Sequence, residues 1–195
     1  MPGVNGYQRD LDVRLPFDVA GARRLLAEAG FPNGFKIQLD CPIDRYVNAE
    51  AICRAITTML AQVEIEVVLN LQPWSAFVPP LTRLQSSFHL IGERPSGGDT
   101  QDTLQQTMMT RGQVNGFTNW ARWSNAEFDA TVTQLMTELD AARRQALYHR
   151  ALEISRDNVQ AVYLHTQMVT WGMRANVHGR MRTDLAVLLE YMRID

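Results

Sequence analysis

Residues 92–104, GERPSGGDTQDTL, concentrate charged side chains, glycines and a proline between two apolar segments. The stretch follows a short run typical of a buried strand, Phe88–Gly92, and precedes a segment of helical character, Thr103–Thr110. Open α/β folds bind ligands beyond the carboxyl ends of their strands. An arginine in such a place binds carboxylates and phosphates through two parallel hydrogen bonds. We therefore predict that this loop lines a small-molecule site; the alternative is a surface loop that only turns the chain.

No other residue pattern indicates catalysis or a metal centre. The four histidines, at positions 89, 149, 165 and 178, lack the HExxH or HxH spacing of metal sites. The sequence contains no GxSxG elbow and no GxxxxGK[ST] phosphate loop. We expect a protein that is not an enzyme and that uses no cofactor and no metal. Turnover of a candidate solute would contradict that expectation.

The two cysteines, Cys41 and Cys53, do not have the CxxC spacing of a redox or zinc motif. Cys41 falls at the end of a predicted strand and Cys53 inside a predicted helix. The burial habits of cysteine favour two buried free thiols. A disulfide is the alternative, which spacing alone does not decide.

Length and composition indicate one globular domain. The chain has 195 residues, of which 46% are apolar and 21% charged. A net charge of −2 predicts no strong attraction to nucleic acid or to an anionic membrane. The sequence contains no run of 18 apolar residues, so no membrane-spanning helix is predicted. No N-terminal segment resembles a secretion signal.

The first half of the chain alternates between helix and strand patterns. Asp18 is expected to cap a helix that stops at Gly30. Residues 35–41 and 64–71 have the composition of strands, and residues 47–62 between them have apolar positions at helical spacing. Such a β–α–β unit implies parallel strands joined by a right-handed crossover.

The second half is predicted to be mainly helical. After a helix near Pro79 and Pro80 and a short strand at 88–92, a helix is expected over 103–110. Ser124 and Glu127 have the spacing of a capping box that opens a helix to about Leu139. Further expectations are a helix from Asp140 to about Arg156, two strands or extended segments at 161–166 and 168–173, and an apolar segment, DLAVLLEYM, at 184–192.

Five segments resemble, in order, the motifs of the family 5 extracellular solute-binding proteins, which are the dipeptide-, oligopeptide- and nickel-type receptors of bacterial ABC importers. The family pattern Tyr-Asp-Pro-x-x-Ala-x-x-Leu-Leu-x-Glu-Ala-Gly-Tyr-Pro-x-Gly-Phe is matched from Phe17 to Phe35. The resemblance runs from about residue 15 to about residue 180. The five segments are FDVAGARRLLAEAGFPNGFKIQL, AEAICRAITTMLAQVEIEVVLN, WSNAEFDATV, DAARRQALYHRALEI and WGMRANVHG.

The resemblance implies an α/β fold: a mostly parallel sheet with helices on both faces, forming one lobe of a two-lobe, type II periplasmic-binding-protein-like receptor. It implies a leader or interlobe segment at 1–14, the C-terminal lobe at 15–176, and a tail at 177–195 that returns to the N-terminal lobe. Its implied function is solute capture for an ABC importer by closure of the two lobes on the ligand. The alternative is a ligand-sensing domain of a transcription regulator with a receptor-like module.

The resemblance also implies partners and a location. The partners are a small-molecule solute, with peptides among the candidates, and the ABC permease subunits. No nucleic acid is implied, and the membrane is reached only through the permease. The location is periplasmic or extracytoplasmic, with a secretion signal expected upstream.

In peptide-binding members the loop resembles Gly-Trp-x-x-Asp-x-x-(Asp/Glu)-Pro-x-x-Phe, whose first aspartate pairs with the ligand's ammonium group. Aligned from Gly92 without gaps, Glu93 takes the tryptophan position and Ser96 the aspartate position. Serine carries no charge, so an ordinary peptide ligand is less expected unless Glu93 substitutes for the aspartate. Trp74 is assigned equally to the cleft and to core packing. The predicted ligand-binding residues are Glu93, Arg94, Ser96, Asp99, Asn119 and Trp120.

Overall fold

A computed structural model describes residues 2–94, 96–179 and 187–195, without the side chain of Ser96. The chain divides into two compact units. The sheet unit consists of Asp12–Glu93 and Thr110–Ser124. The helical unit consists of Met1–Leu11, Arg94–Met109 and Asn125–Asp195.

The sheet unit contains the predicted β–α–β arrangement. Its two strands pair in parallel over their whole length, from Lys36 opposite Glu66 to Pro42 opposite Gln72. The connection between them is a helix, which confirms the crossover expected from the sequence. The elements in chain order are α1 (Val19–Glu28), β1 (Lys36–Pro42), α2 (Ala49–Ala61), β2 (Glu66–Gln72) and α3 (Trp74–Thr82).

The predicted third strand is reduced to a single bridge on the free edge of β1. The backbone N–H of Asp40 donates to the Phe88 carbonyl, and the N–H of Leu90 donates to the Asp40 carbonyl, both at 3.0 Å. The strand expected over 88–92 does not extend beyond this bridge.

The core of the sheet unit lies between one face of the sheet and α2. Leu39 and Cys41 point from this face toward Ala49 and Cys53 of α2. Cys41 and Cys53 form a disulfide with a Cα–Cα distance of 6.6 Å, and both residues are fully buried. The prediction of two free thiols is therefore wrong. The two cysteines meet because the crossover places the core face of β1 against the inner face of α2. Their separation of 12 residues in the sequence does not by itself reveal this contact.

Helix α1 begins and ends where the sequence predicts. The Asp18 side chain accepts a hydrogen bond from the Gly21 N–H at 2.8 Å, which caps the first turn. Gly30 follows the helix with φ of +89°, a left-handed conformation that glycine adopts without strain.

The helical unit is built around two long helices that pack on each other. Its elements are α4 (Thr100–Thr103), α5 (Ala126–Thr137), α6 (Ala141–Asp157), β3 (Val177–His178) and β4 (Arg193–Ile194). The helix expected over 103–110 is found as α4 followed by a π-helical turn, Leu104–Met108. Strands β3 and β4 pair antiparallel.

The capping residue of α5 differs from the prediction by one position. Asn125 accepts the Phe128 N–H at 3.0 Å, whereas Ser124 accepts a hydrogen bond from the Thr110 hydroxyl. The capping box with Ser124 is therefore wrong, and α5 ends at Thr137 rather than near residue 139. Asp140 caps α6 as predicted, accepting the Arg143 N–H at 2.9 Å.

Residues 161–173 form no strand, so of the two predicted alternatives, strands or extended segments, the strands are wrong. Pairing requires a neighbouring strand, and the described part of the chain provides none for this segment. Several of its large apolar side chains are exposed, among them Met168 and Trp171. The predicted apolar segment at 184–192 lies partly outside the described residues, and Leu189–Tyr191 within it form one 3₁₀ turn.

Candidate functional site: an arginine–aromatic cluster at the carboxyl edge of the sheet

Three segments of the sheet unit follow the carboxyl ends of β1, of β2 and of the bridged segment beside β1: residues 43–46, 73–74 and 91–93. The Ile43 N–H still donates to the Gln72 carbonyl at 3.0 Å, which prolongs the parallel pairing by one residue. Beyond it, the Asp44 carboxylate accepts the backbone N–H of Trp74 at 2.7 Å. This bond ties the loop after β1 to the first residue of α3, where backbone N–H groups lack partners within the helix.

The aromatic rings of Tyr46 and Trp74 meet edge to face at this edge. Their centroids lie 6.1 Å apart and their planes are at 84°. The ring of Trp74 also packs against the ring of Phe77, with centroids 5.5 Å apart, and Phe77 is fully buried. The partly exposed pair is thus anchored in the core, in a geometry that aromatic rings favour.

Arg45 lies over both rings. Its Cζ atom is 5.3 Å from the centroid of Trp74 and 5.9 Å from that of Tyr46, distances typical of cation–π contacts. The residue is exposed to solvent. A guanidinium stacked in this way presents a planar set of N–H donors suited to a carboxylate or a phosphate. We call Arg45, Tyr46 and Trp74 the arginine–aromatic cluster.

The hydroxyl of Tyr46 is held by the third segment. Burial raises the pKa of Tyr46 above its ordinary 10.0, the hydrogen bond from the Gly92 N–H opposes that shift, and the charge of Glu93 reinforces it. A Cβ atom on Gly92 would lie 2.9 Å from Cε1 of the Tyr46 ring. Glycine is therefore required at position 92 for the backbone to approach the ring without displacing it.

An open depression of about 340 Å³ adjoins the cluster. Tyr46 and Ile43 line it on the side of the strand, and the first turns of α2 line it on the other side. Glu50 and Arg54 in the lining pair with each other, so the cation suited to a small organic anion is Arg45 of the adjoining cluster.

Of the predicted ligand-binding residues, Glu93, Asn119 and Trp120 belong to the sheet unit. Glu93 is exposed and close enough to Tyr46 to influence its pKa. Asn119 is buried, and its side-chain amide donates to the Trp123 carbonyl at 2.7 Å and accepts the Trp123 N–H, so it closes a loop. Trp120 is partly buried, with its ring 6.3 Å from the ring of His89.

The helical unit contains the other three predicted residues, Arg94, Ser96 and Asp99. The side chain of Ser96 is not among those that the structure describes. The structure therefore does not gather the six predicted residues within one unit. Their role in ligand binding remains a prediction.

Within the helical unit Asp99 has an internal role. Its carboxylate caps α4 by accepting the Gln101 N–H at 2.8 Å. It also accepts the Tyr148 hydroxyl at 2.5 Å and the Asn5 amide at 2.9 Å. Burial would raise the pKa of Asp99, yet these hydrogen bonds hold it below the ordinary 3.8. Burial and the neighbouring Asp99 carboxylate raise the pKa of Tyr148 to about 12.

The bonds of Asn5 show that the N-terminal segment packs into the helical unit rather than forming a loose leader. The Asn5 N–H donates to the Gly98 carbonyl at 2.9 Å, and the Thr100 N–H donates to the Asn5 carbonyl at 3.0 Å. Val4 beside it is 7% exposed. The 1–14 boundary of that segment remains a prediction.

Sequence reasoning missed Arg45 and Tyr46. The rule that ligands bind beyond the carboxyl ends of strands was applied to the third strand, and the same rule applied to β1 leads directly to residues 43–46. Trp74, assigned equally to cleft and core, contacts both Tyr46 at the edge and Phe77 in the core.

Among the described residues, no group of three or more His, Cys, Asp or Glu side chains is arranged to hold a metal ion. None of the described helices has the length and apolar character needed to cross a membrane.

The structure has the α/β fold of one lobe of the periplasmic binding proteins, as predicted. Over the whole chain it resembles the binding protein AgaA of A. tumefaciens R10 in complex with agropinic acid, with a TM-score of 0.79, 20% identity and 40% of that chain covered. It also resembles the ABC transporter-associated periplasmic binding protein DppA of Helicobacter pylori in complex with a peptide, with a TM-score of 0.70 and 22% identity, over 82% of this chain and 31% of that one.

No established family profile matches the chain. In sequence it is 28% identical to the dipeptide-binding protein of Pseudomonas aeruginosa over 167 residues, which are 84% of this chain and 31% of the relative. The resemblance carried by the five motifs is confirmed in this form: the relatives of the chain in sequence are dipeptide- and di/tripeptide-binding proteins, and it matches part of their length. It spans about a third of the length of such relatives, which are binding proteins and do not favour the alternative of a regulator domain.

Proposed function

We propose that the chain forms one lobe of a solute-binding receptor for an ABC-type importer, and that the arginine–aromatic cluster binds the solute. The solute class we propose is a small molecule with a carboxylate or phosphate group, with peptides included through their terminal carboxylate. The lobe does no chemistry on the solute. A second lobe closing on it would add the contacts that favour the closed state.

The observation that supports this function is the position of Arg45 over Trp74 and Tyr46 at the carboxyl edge of a parallel sheet. This edge is where open α/β folds bind ligands. The guanidinium supplies paired donors, and the rings supply contact area. Relatives and structural neighbours that bind a dipeptide, a peptide or agropinic acid support the same class of function.

The disulfide supports a location outside the cytoplasm. Disulfides persist in oxidising compartments such as the bacterial periplasm and are rare in the cytosol. Cys41 and Cys53 are joined in this way in the core of the sheet unit. We propose a periplasmic or extracytoplasmic location, with the permease subunits of the importer as protein partners.

The exposed apolar side chains after α6 support a further part of the proposal. Within residues 177–195, Leu189 is 79% exposed and Ile194 is 73% exposed. Such side chains gain from burial against another surface. We propose that the tail at 177–195 packs on the N-terminal lobe of a complete receptor, as the family resemblance implies.

The test is a titration of the isotope-labelled chain followed by ¹H–¹⁵N NMR, which detects the weak binding expected of one lobe. Alanyl-alanine, gluconate and glucose 6-phosphate serve as probes of the three solute types. We expect at least one to shift the Trp74 indole signal and the Arg45 amide signal in a saturable way. Saturable shifts elsewhere only, or none with any probe in a folded sample, would contradict the proposal.

Arg45→Gln tests the guanidinium. Losing a charge-assisted hydrogen bond costs on the order of 1.5–3 kcal/mol, so we expect affinity to fall roughly tenfold or more. Arg24→Gln is the matched control, because Arg24 is an exposed arginine of α1 that pairs with Glu28. It should leave the affinity unchanged.

A further inference from the structure

The sheet face opposite the α2 core carries a buried polar centre. Side chains alternate along a strand, so Asp40 of β1 points away from the face that holds Leu39 and Cys41. Asp40 is 4% exposed and Ser86 is 2% exposed. Across the three neighbouring segments, Asn70, Asp40 and His89 lie side by side in register.

Both oxygens of the Asp40 carboxylate have partners. Oδ1 accepts the Gln38 amide at 2.8 Å and the Asn70 amide at 2.7 Å, and Oδ2 accepts the Ser86 hydroxyl at 2.5 Å. A buried carboxylate is tolerated when hydrogen bonds replace the water it has lost. The single hydrogen of the Ser86 hydroxyl is thereby directed to Asp40, and its oxygen remains able to accept.

His89 lies between this centre and Trp120. Its Nδ1 atom is 3.5 Å from the Ser86 oxygen, which is long for a hydrogen bond. On its other side the imidazole meets the indole of Trp120, with centroids 6.3 Å apart and planes at 60°. The position of the His89 ring thus determines the surface against which Trp120 packs.

Few charges face His89. Burial lowers the pKa of His89 from its ordinary 6.5, and the charge of Asp40 opposes that shift. Arg122, on the segment that carries Trp120, donates to the Leu84 carbonyl at 3.3 Å. Arg83, just after α3, donates to the Gln85 side chain at 3.1 Å. Asp40 is therefore the charged group to which a protonated His89 would respond.

We propose that His89 is a positioning residue for Trp120: the neutral ring packs against the indole, and protonation moves the ring toward Ser86 and Asp40. A protonated imidazole carries a hydrogen on Nδ1, which can donate to the Ser86 oxygen. Charge-assisted bonds of this kind are about 2.7–2.9 Å long, so closing the present 3.5 Å separation shifts the ring by roughly half an ångström or more. The inference concerns the packing of the Trp120 ring and does not depend on the solute site proposed at the arginine–aromatic cluster.

The test follows the indole N–H signal of Trp120 by NMR from pH 8 to pH 5 in the full chain without solute. The signal is assigned by its loss in Trp120→Phe. We expect it to move through one transition with a midpoint below pH 6.5. His89→Phe keeps a ring but cannot be protonated, so the transition should disappear.

Asp40→Asn separates positioning from a merely structural role. Asparagine keeps the shape, accepts the same two amides and removes the charge that favours protonated His89, so the midpoint should fall to lower pH. If this variant does not fold, Ser86→Ala replaces it. The C2 proton of His89 should then still report its protonation. The indole signal of Trp120 should no longer change with the protonation of His89. His149→Gln, in the helical unit, is the control histidine and should change neither signal.

A Trp120 signal that does not move in the wild type, or a transition that persists in His89→Phe, would overturn the proposal. A midpoint that rises in Asp40→Asn, or a Trp120 transition that survives Ser86→Ala, would do the same. Because no solute is present, this result is independent of whether the solute-binding titration succeeds.

Discussion

Reducing the Cys41–Cys53 disulfide should destabilise the sheet unit by an amount that follows from its loop length. The bridge closes a loop with a sequence separation of 12. The chain-entropy relation for a loop of this size gives roughly 3 kcal/mol at 25 °C, lost when the cross-link no longer restricts the unfolded chain. With a urea dependence of about 2 kcal/mol per molar, the unfolding midpoint should fall by about 1.5 M.

The assay is urea unfolding of the oxidised protein and of protein refolded in dithiothreitol, followed by fluorescence of the tryptophans and by far-UV circular dichroism. Both sulfurs are fully buried, so the reductant has to be added to the unfolded chain. Comparing two redox forms of one sequence keeps the core volume almost constant, and the difference therefore reports the cross-link rather than a cavity.

The matched control is the double variant Cys41→Ala/Cys53→Ala, whose midpoint should not respond to dithiothreitol. Equal midpoints for the oxidised and reduced wild type would refute the reasoning, since a bridge that constrains the unfolded chain must change the free energy of unfolding. A shift of equal size in the control would show that the reductant acts elsewhere.

Three further predictions concern single residues. Gly92→Ala should displace the Tyr46 ring, which would be seen as changed aromatic signals of Tyr46 in NMR spectra and as weaker solute binding; unchanged ring signals would contradict the close approach of 2.9 Å. Asn125→Ala should lower the free energy of unfolding by about 1 kcal/mol, whereas Ser124→Ala should cost less, as measured by urea unfolding; the reverse order would restore Ser124 as the cap. The pKa of Asp99 is depressed in the folded state, so its stabilising effect is complete above the ordinary 3.8 and is lost as the pH falls through the folded value. The protection factors of amides in the helical unit, which correct for the intrinsic exchange rate at each pH, should therefore fall at acidic pH, with a weaker dependence on pH in Asp99→Asn.

Short-range signals predicted the elements that depend on a few neighbouring residues. Alternation and β-branched residues predicted β1 and β2, and the capping aspartates Asp18 and Asp140 predicted the starts of α1 and α6. The α5 start shows the limit of such signals, because Ser124 and Asn125 are both good caps. The hydroxyl of Thr110, fourteen positions earlier, is the partner that Ser124 bonds instead.

Features that depend on the packing of distant segments were not predictable. The strand-like composition of residues 161–173 leads to no strand because pairing needs a partner strand. The environment of Asp99 depends on Asn5 and Tyr148, which are 94 and 49 positions away from it in sequence. The strand-end rule leads to residues 43–46 after β1, but the stacking of Arg45 on Tyr46 and Trp74 depends on how the segments after β1 and β2 meet at one edge.

The hydrogen bond from the Trp74 N–H to Asp44 has a consequence for the thermodynamics of recognition. It fixes the backbone at Trp74, and the contacts of the Trp74 ring with Phe77 and Tyr46 hold the two rings under Arg45 in place. Ordering a mobile side chain on binding costs about 0.5–1.5 kcal/mol, and a surface whose aromatic rings are already ordered avoids most of that loss. A single lobe can then recognise part of a solute with little rearrangement of its own.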